Sequence, residues 1–318
     1  MTDEIEDRLQ KRLGHVHAMQ RLGIESDKER RVFGGGLNFF HPENWYSLSS
    51  ILRYTLKITG LYYIGRRNSR RLRVLNNSLY LEGLPPAFEG YTILHLSDLH
   101  VDMNEPAMLH MAEVIHGLEY DLCVMTGDYR AKTFGAIDAT LSGLKKIALS
   151  INKPTFAVLG NHDSIRMVPE LEEMGIRFLL NESIVLEYEG ENIYLAGVDD
   201  AHYFRVDNIQ KASSNIPHEA ASLLLSHTPE IYMQAAHANF DAYLCGHTHG
   251  GQICLPGGFP LTLDAKCPRY MGSGSWRYNN MSGYTSVGAG TSIINVRFNC
   301  PPEITLHCLT ARQDRPEL

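Results

Sequence analysis

Five short polar motifs follow one another along the chain, and their side chains are of the kinds that bind metal ions. The motifs are Asp98-Leu99-His100, Gly127-Asp128, Gly160-Asn161-His162-Asp163, Ser226-His227 and Gly246-His247-Thr248-His249. Together they offer two carboxylates, four imidazoles and one carboxamide as ligands, from Asp98, His100, Asp128, Asn161, His227, His247 and His249. Such a ligand set without thiolates suits Mn, Fe, Zn or Mg. Seven ligands are too many for one ion and favour two ions that share a bridge.

A pair of divalent ions in this setting has a definite chemistry. Metal ions about 3.5–4 Å apart can clamp the attacking and leaving oxygens of a phosphoryl centre, and they lower the pKa of a water between them. Each motif taken alone is weak, because a Gly-Asp pair is a common turn and a lone His is usually structural. The prediction therefore depends on all five motifs meeting at one place.

The elements between the motifs indicate how they would meet. Apolar strand-like runs alternate with helical patterns, which predicts an α/β fold with a mostly parallel sheet. The strands expected before the motifs cover residues 92–97, 121–126, 155–159, 222–225 and 241–245, and helices are expected at 105–118 and 135–150. Further strands are expected at 184–188, 192–196, 284–287, 293–298 and 303–309. Ligands of such sheets bind beyond the carboxyl ends of the strands, so the motifs predict one shared site.

A segment rich in Gly, Pro and aromatic residues covers 254–284 and is expected to be a long loop. Loops of this length in compact domains are usually functional or mobile. Its aromatic side chains could line an acyl or nucleotide pocket, or could pack only within the loop. They are Phe259, Tyr270, Trp276 and Tyr278.

As a series, the motifs resemble the blocks of the calcineurin-like metallophosphoesterases, over residues 92–309. The resemblance implies a four-layer α/β/β/α sandwich with an N-terminal helical extension, two bound divalent metal ions, and a metal-dependent phosphoric ester or anhydride hydrolase. It implies that one ion is held by Asp98, His100 and His249. It implies that the other is held by Asn161, His227 and His247, with Asp128 as the bridge.

The same resemblance assigns the remaining polar residues of the motifs. His162 would contact the phosphate and protonate the leaving oxygen, with Asp163 orienting its ring. A His held by a carboxylate beside a metal centre is a reasonable general acid. Arg130 follows Asp128 closely and could steady a substrate phosphate, although it could equally be an exposed loop residue.

The charge of the chain divides at about residue 80. The net charge is −7, but residues 1–80 carry 14 Lys and Arg against 8 Asp and Glu. We therefore divide the chain into a basic helical extension, residues 1–77, and a phosphoesterase domain, residues 78–318. Within the extension, residues 5–22 predict an amphipathic helix, and residues 45–64 predict a second one that carries Arg53 and Lys57 and precedes further arginines.

This extension favours contact with an anionic surface. An apolar face beside basic side chains is typical of a helix lying in a membrane interface, and charges at its centre disfavour a spanning helix. The alternatives are a helix packed on the domain, or a partner or nucleic-acid surface. The N-terminus lacks an apolar stretch typical of a signal peptide, and the six Cys form no CxxC motif, so we expect a cytoplasmic protein at the inner face of the membrane.

The residues after His249 and the closing run 287–309 resemble a membrane-linked YkuE- and YaeI-like subgroup, some members of which are UDP-2,3-diacylglucosamine pyrophosphatases of lipid A synthesis. That subgroup usually begins with a transmembrane helix, which this chain replaces with the basic amphipathic stretch. The leading hypothesis is hydrolysis of a phosphoanhydride or phosphodiester bond in a lipid-linked substrate by a metal-bridged hydroxide. The alternatives are a general phosphodiesterase or phosphatase acting on soluble nucleotides, and a non-catalytic metal-binding scaffold. Oligomeric state is not predicted.

Overall fold

Two six-stranded sheets lie face to face in the computed structural model, which describes residues 2–33 and 46–311. The first sheet has the spatial order β1 (Arg73–Tyr80), β14 (Glu303–Thr310), β2 (Thr92–Leu96), β3 (Leu122–Met125), β4 (Thr155–Ala157) and β5 (Ile176–Phe178). The second has the order β12 (Gly274–Tyr278), β13 (Met281–Thr285), β9 (Ala242–Cys245), β8 (Ser222–Leu225), β7 (Glu191–Gly197) and β6 (Glu182–Tyr188). A short ribbon pairs β10 (Cys254–Leu255) with β11 (Phe259–Pro260).

Most strand pairs in the two sheets are parallel. The antiparallel pairs are β14 with β2, β12 with β13, and β6 with β7. Helices cover the outer face of each sheet, so the predicted α/β class and four-layer α/β/β/α order are confirmed. The helices are α1 (Thr2–Leu13), α2 (His15–Phe33), α3 (Tyr46–Ile58), α4 (Leu61–Asn68), α5 (Glu105–His116), α6 (Asp138–Ala148), α7 (Val168–Glu173), α8 (Ile209–Ser213) and α9 (Tyr232–His237).

The central strands are mostly apolar because both of their faces are buried. In β2, Ile93 packs between the two sheets while Leu94 packs under the outer helices. In β3, Val124 likewise packs between the two sheets, and Met125 packs under the outer helices. Successive side chains of a strand point to opposite faces, so an uninterrupted apolar run is what a doubly covered parallel strand requires.

The first N-terminal pattern forms two helices rather than the single helix expected over residues 5–22. Gly14 separates α1 from α2 with a φ of 86°, a left-handed conformation that favours glycine. Leu9 and Leu22 are buried in the same apolar cluster as the outer faces of β2 and β3, whereas Val16 is 77% exposed. Both helices thus pack onto the phosphoesterase core.

The second N-terminal pattern also forms two helices, α3 and α4, with Gly60 between them at a φ of 74°. Within residues 2–33 and 46–311, we find no helix that is both long and apolar enough to cross a membrane. The chain then enters β1, which pairs in parallel with β14, so the boundary predicted at residues 77 and 78 falls inside a strand. Part of the amphipathic stretch, residue 45, lies outside the described residues.

Two further expectations need correction. The predicted strand at 293–298 is wrong, because this segment contributes to pairing only through an isolated bridge between Ile253 and Phe298. The segment 254–284 is not a long loop, since it contains β10, β11, β12 and most of β13. Its Gly and Pro residues mark tight turns between short strands, a pattern that resembles a loop in sequence.

Candidate metal centre

All five motifs lie at one end of the two sheets. Asp98 and His100 follow β2, Asp128 follows β3, Asn161 follows β4, and the three remaining histidines follow β8 and β9. Two sets of three side chains come together there, and within each set the candidate ligand atoms lie within 4.8 Å of one another. We call the set of Asp98, His100 and His249 the Asp98 group, and the set of Asp128, His227 and His247 the Asp128 group.

In the Asp98 group, the ring of His100 is held from behind by the backbone. Its Nδ1 donates a hydrogen bond to the carbonyl oxygen of Arg130 at 2.7 Å, which leaves the Nε2 lone pair facing the group. This Nε2 lies 3.1 Å from Nε2 of His249, which in turn lies 3.5 Å from Oδ1 of Asp98. An outer partner that fixes the tautomer and orientation of a His is the usual support of a metal-binding imidazole.

The Asp128 group is built in the same way. Nδ1 of His227 donates to the carbonyl oxygen of Thr126 at 2.8 Å, so its Nε2 faces inward. That atom lies 2.9 Å from Oδ1 of Asn161, 3.2 Å from Nδ1 of His247 and 3.4 Å from Oδ1 of Asp128. The other oxygen of Asp128 lies 3.8 Å from Nε2 of His100, so this carboxylate stands between the two groups.

The arrangement requires positive charge at its centre. Nε2 of His227 and Oδ1 of Asn161 are both acceptors at hydrogen-bond distance, an arrangement that needs a cation or a proton between them. Burial alone would lower the pKa of His227, but the charge and hydrogen bond of Asp128 together with the charges of Asp98 and Asp200 outweigh burial and raise that pKa to about 10. Divalent ions would supply the same positive charge. The residues present therefore fit two divalent ions, and the identity of the metal does not follow from them.

The backbone of the centre is strained at several of the ligands. Five of the seven predicted ligands have a positive φ: 51° at Asp98, 40° at His100, 56° at Asp128, 72° at His247 and 49° at His249. Non-glycine residues seldom adopt this region, and such residues concentrate at functional sites. The strain supports a role that depends on where these side chains point.

Two glycines of the motifs allow the strand ends to approach closely. A Cβ on Gly246 would collide with Oγ of Ser97 and Oδ2 of Asp98, and a Cβ on Gly160 would collide with Oδ1 of Asp128. Both positions therefore require glycine because each predicted ligand carboxylate lies directly against the backbone of the neighbouring motif.

His162 and Asp163 lie beside the centre, and both make polar contacts with the residues around them. Nε2 of His162 lies 3.9 Å from Oδ2 of Asp128, and its Nδ1 lies 3.1 Å from Oγ1 of Thr133. The two oxygens of Asp163 accept hydrogen bonds from the backbone N–H groups of Asp128, Tyr129 and Gly160. Burial and the nearby charge of Asp128 raise the pKa of Asp163 to about 6. Thr133 was missed because no motif surrounds it.

The side chain of Arg130 lies inside the protein. It is buried rather than exposed, and its Nη2 donates to the carbonyl oxygen of Gly135 at 3.1 Å. Arg130 is also outside the described lining of the cleft that opens over the centre. Its clear contribution to the site is the backbone carbonyl that holds His100.

A cleft of about 410 Å³ opens over the metal-binding side chains. Its polar floor includes Asp128, Asn161, His162, His247 and His249, and its apolar wall comprises Leu52, Ile253, Leu261, Ile293 and Ile294. Ligand pockets commonly combine an apolar wall with a few placed polar groups.

Two further polar residues line the cleft and were missed by the sequence analysis, namely His202 and Asp264. Each has a ligand atom within 4.8 Å of the other and of His247. Nδ1 of His202 lies 3.2 Å from Oε2 of Glu230. Neither lies in a recognisable motif, so only their spatial position reveals them.

The four aromatic side chains of the segment 254–284 are absent from the described lining of the cleft. Trp276 is buried and donates from Nε1 to Oγ1 of Thr285, and Tyr278 packs edge-on against Tyr232. Phe259 and Tyr270 are exposed. The contacts of Trp276 and Tyr278 agree with the alternative of local packing, and the segment contributes Leu261, Thr262 and Asp264 to the cleft.

Comparison with known proteins agrees with this centre. Residues 91–251 match the family described as calcineurin-like phosphoesterase. The uncharacterized metallophosphoesterase YkoQ of Bacillus subtilis is 30% identical over 77% of this chain and 93% of its own length. The phosphodiesterase YaeI of Escherichia coli is 31% identical over 68% of this chain and 81% of its own length. The uncharacterized metallophosphoesterase YkuE of Bacillus subtilis is 26% identical over 71% of this chain and 81% of its own length.

The chain therefore belongs to the calcineurin-like phosphoesterase family. The predicted enzyme class, a metal-dependent phosphoric ester hydrolase, is confirmed with it. The family implies a phosphate-containing substrate, and the two groups of side chains are where metal ions could bind.

Proposed function

We propose that this protein hydrolyses a phosphodiester or phosphoanhydride bond in a lipid-linked substrate such as UDP-2,3-diacylglucosamine, while resting on an anionic membrane. The observation that carries the proposal is the shared cleft, in which a metal-binding floor meets an apolar wall. Leu52 of α3 belongs to that wall. The amphipathic helix is thus physically part of the cleft, which is the arrangement that a substrate with both a phosphate and acyl chains needs.

The residues of the centre take the following roles in this proposal. The Asp98 group would hold one ion, and His227, His247 and Asn161 would hold the other, with Asp128 between the two groups. Bound divalent ions would supply acidification of a water and neutralisation of charge on the phosphoryl oxygens. His162 gives a proton from Nε2 to the leaving oxygen, because its Nδ1 is already engaged with Thr133 and its Nε2 faces the centre. Asp163 holds the Asp128 loop by its backbone N–H groups, and a part in orienting His162 stays a prediction.

The membrane surface in this proposal is the exposed face of α3 and α4. Apolar side chains there include Tyr54, Ile58, Leu61, Tyr63 and Ile64, and Ile58 is 86% exposed. Exposed basic side chains flank them, among them Arg53, Lys57, Arg66 and Arg67. Apolar groups flanked by cations fit the headgroup region of an anionic bilayer, where each nearby Lys or Arg contributes about 1 kcal/mol.

The reaction is tested by incubating the Mn²⁺-loaded protein with UDP-2,3-diacylglucosamine and measuring release of UMP. The expected result is UMP release that the Asp128→Asn variant lacks. Hydrolysis of a chromogenic diester without UMP release would retain the reaction class and refute the lipid A substrate. Soluble nucleotides cleaved faster than the lipid would favour a general phosphodiesterase.

Membrane docking is tested separately by flotation with vesicles of phosphatidylcholine alone or mixed with phosphatidylglycerol. We expect binding to the anionic vesicles only, weakened at high salt and lost when Ile58 and Ile64 are both changed to Glu. Leu149→Glu is the matched control, since Leu149 is an equally exposed apolar residue at the end of α6. Equal binding by the double variant and the wild type would refute this docking surface.

A further inference from the structure

A continuous series of buried hydrogen bonds runs from the edge of the first sheet to the metal-binding carboxylate Asp98. The series, which we call the buried network, consists of Asn77, His307, His95, Thr126, Ser97 and Asp98. The successive donor–acceptor distances are 2.9, 3.2, 2.9, 2.7 and 2.6 Å. The five residues from His307 to Asp98 are buried, and they come from β14, β2 and β3 and the turns after them.

The direction of the hydrogen bonds in the buried network follows from its inner end, because each hydroxyl has one proton and each neutral imidazole has one N–H. At the outer end, Oδ1 of Asn77 accepts from Oγ of Ser275 at 2.6 Å, and its Nδ2 donates to Nδ1 of His307. At the inner end, the ionised carboxylate of Asp98 can only accept. Each group between them therefore donates inward.

The two imidazoles fit this direction as neutral rings. Burial lowers the pKa of His95 to about 3 and lowers that of His307, so each ring donates once and accepts once. His307 donates from Nε2 to Nδ1 of His95, and His95 donates from Nε2 to the hydroxyl of Thr126. Thr126 then donates to Ser97, which donates to Oδ2 of Asp98.

We infer that the buried network is a positioning device that assigns the two oxygens of Asp98 to different tasks. Oδ2 accepts from the Ser97 hydroxyl, while Oδ1 faces Nε2 of His249 across the Asp98 group. The backbone N–H of His247 is shared between the two oxygens, at 3.1 Å from Oδ1 and 3.0 Å from Oδ2. Asp98 is thereby held as a ligand through one oxygen. Thr126 also connects the buried network to the Asp128 group, because its carbonyl oxygen accepts a hydrogen bond from Nδ1 of His227.

Packing alone does not account for these residue types. His95 and His307 are fully buried in a sheet whose central positions are mostly apolar, and polar groups are costly there unless every one is satisfied. Apolar side chains would fill the same space without the cost of burying polar groups. The polar series makes sense as support for the ligand at its end, since outer partners of metal ligands typically change metal affinity by about 10- to 100-fold.

This inference shares with the proposed function only the assumption that Asp98 is a metal ligand. Two measurements that need no catalytic turnover test the role of the buried network. In the first, nitrogen NMR of histidine-labelled, chelator-treated protein reports the tautomers of His95 and His307. We expect protonation at Nε2 in both rings, and we expect Asn77→Leu to disturb His307 first. Protonation at Nδ1 of His95 would overturn the inference, because the series would then be broken at its centre.

In the second measurement, Mn²⁺ affinity is measured by calorimetry for Thr126→Val, which keeps the shape of the side chain and removes its hydroxyl. We expect about 10- to 100-fold weaker binding at one of two sites and recovery of the wild-type affinity in Thr126→Ser. Thr155→Val is the matched control, since Thr155 is a buried threonine of the adjacent strand β4 that donates to Lys153 instead. Wild-type affinity in Thr126→Val, or an equal loss in Thr155→Val, would overturn the inference. Because neither readout needs a substrate, a protein that binds Mn²⁺ normally but cleaves no phosphoester would refute the proposed function separately.

Discussion

Arg21 on helix α2 gives the sharpest test of whether the N-terminal helices are part of the phosphoesterase fold. Its side chain is fully buried, and Nη2 donates to the carbonyl oxygen of Asp163 at 2.9 Å. The guanidinium lies 3.4 Å from the centre of the Phe204 ring. Its Nη1 lies 3.2 Å from Oε1 of Glu25, and its Nε lies 3.4 Å from Oδ1 of Asp199.

Replacing Arg21 with Met would leave two buried carboxylates without this cation. Removing one partner of a buried ion pair costs about 3–5 kcal/mol. Glu25 keeps its hydrogen bonds from Ser164 and Ile165, and Asp199 keeps its contact with His17 at 2.9 Å. These remaining partners reduce the penalty, so we expect a loss of about 3 kcal/mol in the free energy of unfolding, out of a total of roughly 5–15 kcal/mol for ordinary domains.

The loss should depend on pH. Burial would raise the pKa of Asp199, but the charge of Arg21, together with His17 and the backbone N–H of Asp200, outweighs burial and holds that pKa below its ordinary value. A carboxyl whose pKa is lowered by folding stabilises the protein above its unfolded pKa of about 3.9 and ceases to do so as pH falls through the folded value. The difference between wild type and Arg21→Met should therefore be largest near neutral pH and should shrink below about pH 4.

The assay is urea unfolding followed by tryptophan fluorescence, on chelator-treated protein. Arg30→Met is the matched control, because Arg30 lies on the same helix and pairs with Asp27 while 75% exposed. We expect that control to change stability by less than about 1 kcal/mol. If Arg21→Met cost no more than Arg30→Met, helix α2 would be an appendage rather than part of the fold.

Three further substitutions test the centre itself. Asp128→Asn keeps the shape of the bridging side chain and removes its charge, so calorimetry should show weaker Mn²⁺ binding at both sites and the increase in melting temperature on adding Mn²⁺ should largely disappear. Gly246→Ala should lower Mn²⁺ affinity, because the new Cβ collides with Ser97 and Asp98; unchanged affinity would contradict the close approach. His162→Ala should keep Mn²⁺ binding while lowering kcat by about 10²- to 10⁴-fold for a diester with a poor leaving group. A loss equally large with p-nitrophenolate as leaving group would contradict its role as proton donor.

Much of the centre could be predicted because local sequence specifies it. The strand predicted at 222–225 matches β8 residue for residue, and the motifs follow apolar runs too short to be helices. Since parallel strands end on the same side of a sheet, strand order was not needed to bring the seven ligands together. The amphipathic pattern of α1 and α2 could also be read from neighbouring residues, although the break between the two helices at Gly14 was not predicted.

What could not be predicted depends on pairings between distant segments. No local pattern in Arg73–Tyr80 predicts a strand that pairs with Glu303–Thr310, because β1 lies at the edge of the sheet and buries only Leu79. His95 and His307 are 212 positions apart, so the buried network has no sequence signature. The 293–298 run resembles a strand, yet Gln252 binds the carbonyl oxygens of Ser292 and Ile294 and holds it in another shape.

The position of β14 has a consequence for how the chain folds during synthesis. This strand follows all the other strands in sequence but is inserted between β1 and β2. At about 5–20 residues per second, roughly 10–40 s separate the emergence of β2 from that of β14. Throughout that interval the edge of β2 would lack its partner and the newly made sheet would remain open to wrong pairing, since non-local strands close late. The first sheet therefore cannot be completed until β14 has been made, and slow translation between β2 and β14 should increase the need for chaperones.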